Sequence, residues 1–225
     1  MSASVVAGAL AVPPHLVATP LCAAFAGLFA WLGLVVWRWS RLPPPARTGA
    51  HAAHGATPRF VRDAVWIALG LGVGLFFLAV MRLVIEPVVP AIASRMAAAG
   101  ALPVWRRVAI IYVAAVGEEL IFRLFLLSAL AGIAARLSRL PRQVPTPAAV
   151  WTASGLSALL FAAVHLPAWG GAAAGGVALP LLVLTLNAVG GLVLGYVFVK
   201  RGIVAAMWTH AGADCAIQLI GPLTG

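Results

Sequence analysis

The sequence predicts an all-α protein, a polytopic bundle of six membrane-spanning helices with one further helix at the membrane interface. Three observations predict it. Of the 225 residues, 63% are hydrophobic and 9% are charged, and mean hydropathy is +1.06. No soluble domain needs so much apolar surface. The apolar residues fall into six runs of 16 to 23 residues, close to the roughly 20 that a membrane-spanning helix needs. Prolines, glycines and arginines separate the runs, so the formal net charge of +10 belongs to loops at anionic headgroups, not to nucleic-acid binding.

Residues 1–20 carry no charged side chain and are broken by Pro13 and Pro14. A secretory leader needs a basic start and an unbroken apolar middle, so this stretch reads as a short lead-in to the membrane. The first span is expected from about Leu21 to Trp37, ending in the aromatic and basic anchor Arg38-Trp39-Ser40-Arg41. Residues 38–62 are the one linker-like stretch. His51 and His54 lie there three apart, but with no other ligand nearby a solvated loop is the better reading than a metal pair. The second span runs from about Ala64 to Met81, with Gly70 and Gly74 forming a face suited to close helix packing. Charges and prolines interrupt residues 82–107, leaving room only for an interfacial helix near Ala91–Ala99.

The third span, about Val108 to Leu130, is followed by a basic loop holding Arg136, Arg139 and Arg142. The fourth, about Trp151 to Leu166, stops at Pro167, and a Gly/Ala loop covers 168–176. The fifth, about Val177 to Val199, places Gly191 and Gly195 on one face. Lys200-Arg201-Gly202 separates it from the sixth, about Ile203 to Ile220. The loops at 38–62, 131–149 and 200–201 hold ten basic residues against four in 82–107, which places the N-terminus outside. Cys22 and Cys215 both lie in apolar runs and read as small hydrophobes. Residues 1–107 form an N-terminal part of spans and linker, and 108–225 a catalytic helix core, within one membrane domain.

The chain has only five acidic residues, and three of them, Glu118, Glu119 and Asp214, fall inside apolar runs. So do His165 and His210. A charge at bilayer depth costs at least ~2.5 kcal/mol on insertion scales, so these groups need partners inside the bundle. Glu119 and Arg123 are four apart and can pair on one helix face. Glu118 points about 100° away and has no partner on its own helix. A carboxylate with two imidazoles can activate water, stabilise an oxyanion and protonate a leaving amine. The same three groups also make a zinc site of two His and one Glu.

Each residue has a plainer reading. His165 alone could be a core histidine bonded to a carbonyl, Glu119–Arg123 a structural pair, and His210–Asp214 a mutually satisfied couple. A proton or ion pathway also uses buried Glu and His. All five groups together in one bundle exceed what structure alone needs.

The order and spacing of these residues resemble a known family. Glu118-Glu119-Leu-Ile-Phe-Arg123 matches EExxxR, Phe161-Ala-Ala-Val-His165 matches FxxxH, and His210-Ala-Gly-Ala-Asp214 matches HxxxN or HxxxD. They are similar to the CPBP intramembrane proteases, which include the type II CAAX prenyl endopeptidases and bacterial proteins linked to bacteriocin self-immunity. The resemblance covers about Val108 to Leu219. It implies an intramembrane endopeptidase acting on a membrane-associated peptide or protein near or within the bilayer. It also implies that Glu118 activates water with His165 helping to hold it, His210 stabilises the oxyanion, and Glu119 and Arg123 orient the site. Asp214 stands where the family usually has Asn, and an ionised Asp cannot donate a hydrogen bond. The alternative is a non-catalytic protein of the same fold that acts by binding. No cofactor is required by the sequence, and zinc on Glu118, His165 and His210 is the one it could accommodate. The metal-free version is preferred, because nothing in the sequence supplies a cation to Glu118. Arginine far outnumbers lysine and alanine is abundant, as in GC-rich bacterial genomes. The expected location is therefore the bacterial inner membrane, where a prenylated substrate is not expected.

Overall fold

The computed structural model describes residues 14–43, 59–138, 143–167 and 177–223. Among them the chain is helical and contains no strand. Helix α1 is Pro14–Ser40. Helix α2, Arg59–Val80, continues as a π-helical turn, Met81–Ile85. The short α3, Ala91–Gly100, precedes one long rod. The rod comprises α4 (Val104–Val113), a π-helical stretch (Ala114–Leu127) and α5 (Ser128–Leu137). Then come α6 (Pro147–Val164), α7 (Ala178–Arg201) and α8 (Ile203–Cys215), the last prolonged by a π turn, Ala216–Ile220, and a 3₁₀ turn, Gly221–Leu223. Six of these helical segments are long and apolar enough to cross a membrane. Phe60, Phe76, Leu83, Tyr112 and Leu181 stand exposed on the outside, as a surface solvated by lipid requires.

The six spans and the helix at 91–100 agree with expectation, while several boundaries differ. The first helix starts at Pro14, inside the stretch read as a lead-in, and ends at Ser40, not Trp37. The second runs to Ile85, because the charge of Arg82 is met one turn on by Glu86 at 2.9 Å. The third extends to Leu137, past the expected Leu130, so Arg136 is helical and not part of a loop. Its guanidinium donates to the carbonyls of Gly132 (2.9 Å) and Trp39 (2.8 Å) and lies 3.5 Å from the Trp39 ring centre. At Arg82 and Arg136 a charged residue near a helix end finds partners without breaking the helix. His51, His54, Arg47, Arg139, Arg142 and the 168–176 loop lie outside the described residues, as does the side chain of Cys22. Cys215 is a free thiol.

Small residues set how closely the spans approach. Gly70 and Gly74 of α2 lie against the backbone of α8 at Thr209 and Ala213, and Gly212 of α8 lies against the carbonyl of Ile67. A methyl group at Gly70 or Gly212 would overlap backbone atoms, so this contact requires glycine on both helices. Gly191 and Gly195 of α7 meet Ala158 and Ser154 of α6 in the same way. Gly202, at φ 91°, turns the chain sharply from α7 into α8. Thr146 caps α6, accepting a hydrogen bond from the Ala149 amide, with Pro147 at the first helical position. One apolar cluster, including Leu120, Leu124, Leu127, Val197 and Phe198, packs the rod against α6–α8. A second, including Met81, Ile92, Met96, Leu179 and Val183, walls a cavity on the other side.

Candidate active site

The π-helical stretch of the rod, a form rare in proteins and concentrated at functional sites, carries Glu118, Glu119 and Arg123. Arg123 is 1% exposed and pairs with the fully buried Glu119 at 3.0 Å. Its other amino group donates to the carbonyl of Gly191 on α7 at 3.3 Å. The guanidinium also lies 4.4 Å from the ring centre of Phe161. Such a cation, desolvated but held by a carboxylate, a carbonyl and an aromatic face, has part of the cost of its burial offset.

Glu119 has a second partner that spacing along the chain does not reveal. Its Oε1 accepts from Nδ1 of His210 at 2.9 Å, across 91 residues of sequence. His165 is held from behind in a parallel manner, with Nδ1 donating to the carbonyl of Phe161 at 2.7 Å. Both partners are acceptors, so both rings carry a proton on Nδ1 and turn Nε2 forward. The two Nε2 atoms face Glu118, His165 at 3.9 Å and His210 at 3.8 Å. Oε2 of Glu118 is shielded and accepts no hydrogen bond. Asp214, 3.7 Å from Nε2 of His210, completes the group. The plainer reading, in which His210 and Asp214 satisfy each other, is not what holds His210: that distance exceeds a hydrogen bond, and Glu119 takes the role.

All six residues singled out in the sequence are therefore brought together. One residue that belongs with them was quoted only as part of a motif. The Phe161 ring lies 4.6 Å from that of His165, edge-on to His210 at 6.0 Å, edge-on to Phe122 at 5.4 Å, and beneath Arg123. It is the post around which both imidazoles are fixed, and its place four before His165 was the available signal.

Glu118, His165, His210 and Asp214 open into a cavity of about 560 Å³. Its other walls are chiefly apolar: Val73 and Phe77 of α2, Ile92 and Met96 of α3, and Leu179, Leu186 and Leu194 of α7. Asn187 supplies one polar point on the α7 wall, donating to the carbonyl of Val183 at 2.8 Å.

Six spans around a cavity that gathers carboxyl and imidazole groups define a multi-pass membrane protein with an ionisable site inside its helix bundle. The model of the Rce1-like family, type II CAAX prenyl endopeptidases, matches residues 100–216, just over half of the chain. The chain belongs to this family of membrane proteases. No curated protein and no solved structure matches it.

Proposed function

We propose that this protein is an intramembrane endopeptidase in which Glu118 activates water. The carrying observation is the convergence of a carboxylate and two Nε2 atoms, at 3.8 and 3.9 Å, on one space in an apolar cavity. With Nδ1 protonated on both rings, a carboxylate and two lone pairs face one another. All three accept hydrogen bonds, and the distances are too long for direct bonds. A water molecule donating to Glu118 and to one ring fits that arrangement.

In this mechanism Glu118 takes a proton from the water, and the hydroxyl attacks the scissile carbonyl. His210, held at Nδ1 by Glu119, donates from Nε2 to the developing oxyanion when the ring carries both protons. Glu118 then returns its proton to the leaving amine. His165 fixes the water from the other side. The substrate is a membrane-associated peptide whose apolar side chains occupy the cavity wall.

Two His and one Glu also suit zinc, and a ring whose Nδ1 donates to a carbonyl or carboxylate is a common setting for a zinc ligand. Among the described residues no three such side chains meet as a metal site. The proposal is the metal-free version. Its test is a peptidase assay in proteoliposomes, with protein purified in a strong chelator and total metal measured alongside. Activity is expected to survive metal removal and to vanish in Glu118→Gln. Stoichiometric zinc, with activity lost on chelation and restored by zinc, would sink the metal-free version and make His165, His210 and Glu118 ligands.

A further inference from the structure

Helices α2 and α7 face each other across a seam where they make almost no direct contact, because each packs on α8 instead. The Phe77 ring against Gly190 spans it in the middle. Beyond Phe77, toward the start of α2, lies a groove of about 310 Å³ that the proposed chemistry does not use. Its lining includes Trp66 and Leu69 from α2 and Val193, Tyr196, Lys200 and Arg201 from α7.

We propose that this groove binds an anionic phospholipid, its phosphate between Lys200 and Arg201 and an acyl chain along the α2–α7 seam. Charge complementarity selects the occupant. Lys200 and Arg201 are exposed in the last turn of α7, and no acidic side chain lines the groove. The guanidinium of Arg201 lies 5.9 Å from the Trp66 ring centre, and Tyr196 is stacked on Trp151 at 6.0 Å. These rings mark the depth at which headgroup meets hydrocarbon. Below them the lining turns apolar at Leu69 and Val193. A soluble anion would have no use for that apolar floor, and an apolar ligand would have none for two cations. The helix dipole alone accounts for basic residues at the end of α7, but not for the aromatic walls around them. Val193 lines both this groove and the catalytic cavity, so the seated chain ends against the wall of the proposed active site.

The test is native mass spectrometry of the detergent-solubilised full chain titrated with phosphatidylglycerol, phosphatidylcholine or inorganic phosphate. Phosphatidylglycerol is expected to bind on the order of tenfold more tightly than phosphatidylcholine. The double variant Lys200→Gln/Arg201→Gln should lose that preference, each single variant part of it, and Leu69→Trp should lose it by filling the floor. Arg106→Gln, which removes an exposed charge elsewhere, should keep it. Equal binding of the two lipids overturns the proposal, as does a preference that survives loss of both cations. Phosphate alone binding as well as phosphatidylglycerol also overturns it, in favour of a soluble anion.

Discussion

The site has two halves that differ in what surrounds them. In the buried half, Glu119 and Arg123 are 0% and 1% exposed and His210 is nearly closed off, and every charge has a partner within hydrogen-bond reach. In the cavity half, the side chains of Glu118, His165 and Asp214 are 29%, 23% and 19% exposed; Glu118 lies 3.9 Å from Nε2 of His165, and Glu118 and Asp214 lie 3.8 and 3.7 Å from Nε2 of His210. His210 belongs to both, with Nδ1 in the first and Nε2 in the second. The difference separates precision from availability. Short bonds away from the cavity fix the imidazole, while the groups that face substrate keep room for water between them. Two adjacent glutamates on one helix thus have opposite fates, set by which wall each faces.

The sharpest way to break this contrast is to neutralise each glutamate in turn. Glu118→Gln keeps volume and removes the base, so peptidase activity should fall by about a hundredfold to ten-thousandfold while the melting temperature stays put. Glu119→Gln leaves Arg123 buried without its counter-charge and weakens the hold on His210. Breaking a buried pair costs about 3–5 kcal/mol, so this variant should melt well below the wild type and also lose activity. Melting curves in detergent together with turnover in proteoliposomes check both. Equal melting temperatures for the two variants would contradict the division described here.

A second test loosens the buried half from a distance. Gly70→Leu must push α2 away from the Thr209 carbonyl on α8, the helix that carries His210 and Asp214. Overpacking of this kind costs about 1–3 kcal/mol. Moving His210 by a fraction of an ångström should cost activity beyond that stability loss. Gly72→Leu, at a position with open space around it, is the matched control and should do neither. If both variants behave alike, close packing of α2 on α8 does not position the site.

Much of this was legible in the sequence. The six spans could be read because lipid demands unbroken apolar runs. The site residues could be read because acids and histidines are conspicuous in those runs. What could not be read has physical reasons too. The Glu119–His210 bond joins residues 91 apart, and helical spacing carries no information about that. Instead the four-residue step suggested His210–Asp214, which the structure leaves at 3.7 Å. Hydropathy ends the third span near Leu130, because Arg136 reads as a loop residue until Trp39 is known to lie beneath it. The π-helical form of 114–127 leaves no mark on hydropathy.

The smallest expected effect concerns the cavity half. Asp214 lies 3.7 Å from Nε2 of His210. While its carboxylate is ionised, Asp214 accepts but cannot donate, and in that form it adds no hydrogen bond to an oxyanion. Its remaining influence on His210 is through space and across a cavity wall that is partly open, where charge interactions weaken. Asp214→Asn changes neither volume nor the Glu119–His210 bond, and it introduces an amide that can donate toward the cavity. Turnover should therefore stay within about tenfold of wild type, with any change upward, because one added neutral hydrogen bond is worth about 0.5–1.5 kcal/mol. Asp214→Ala, which supplies no donor, should not rise. Steady-state turnover of the two variants at matched KM decides the point. A loss of more than a hundredfold in Asp214→Asn, with melting temperature unchanged, would move Asp214 from a bystander of His210 to a carboxylate the reaction needs.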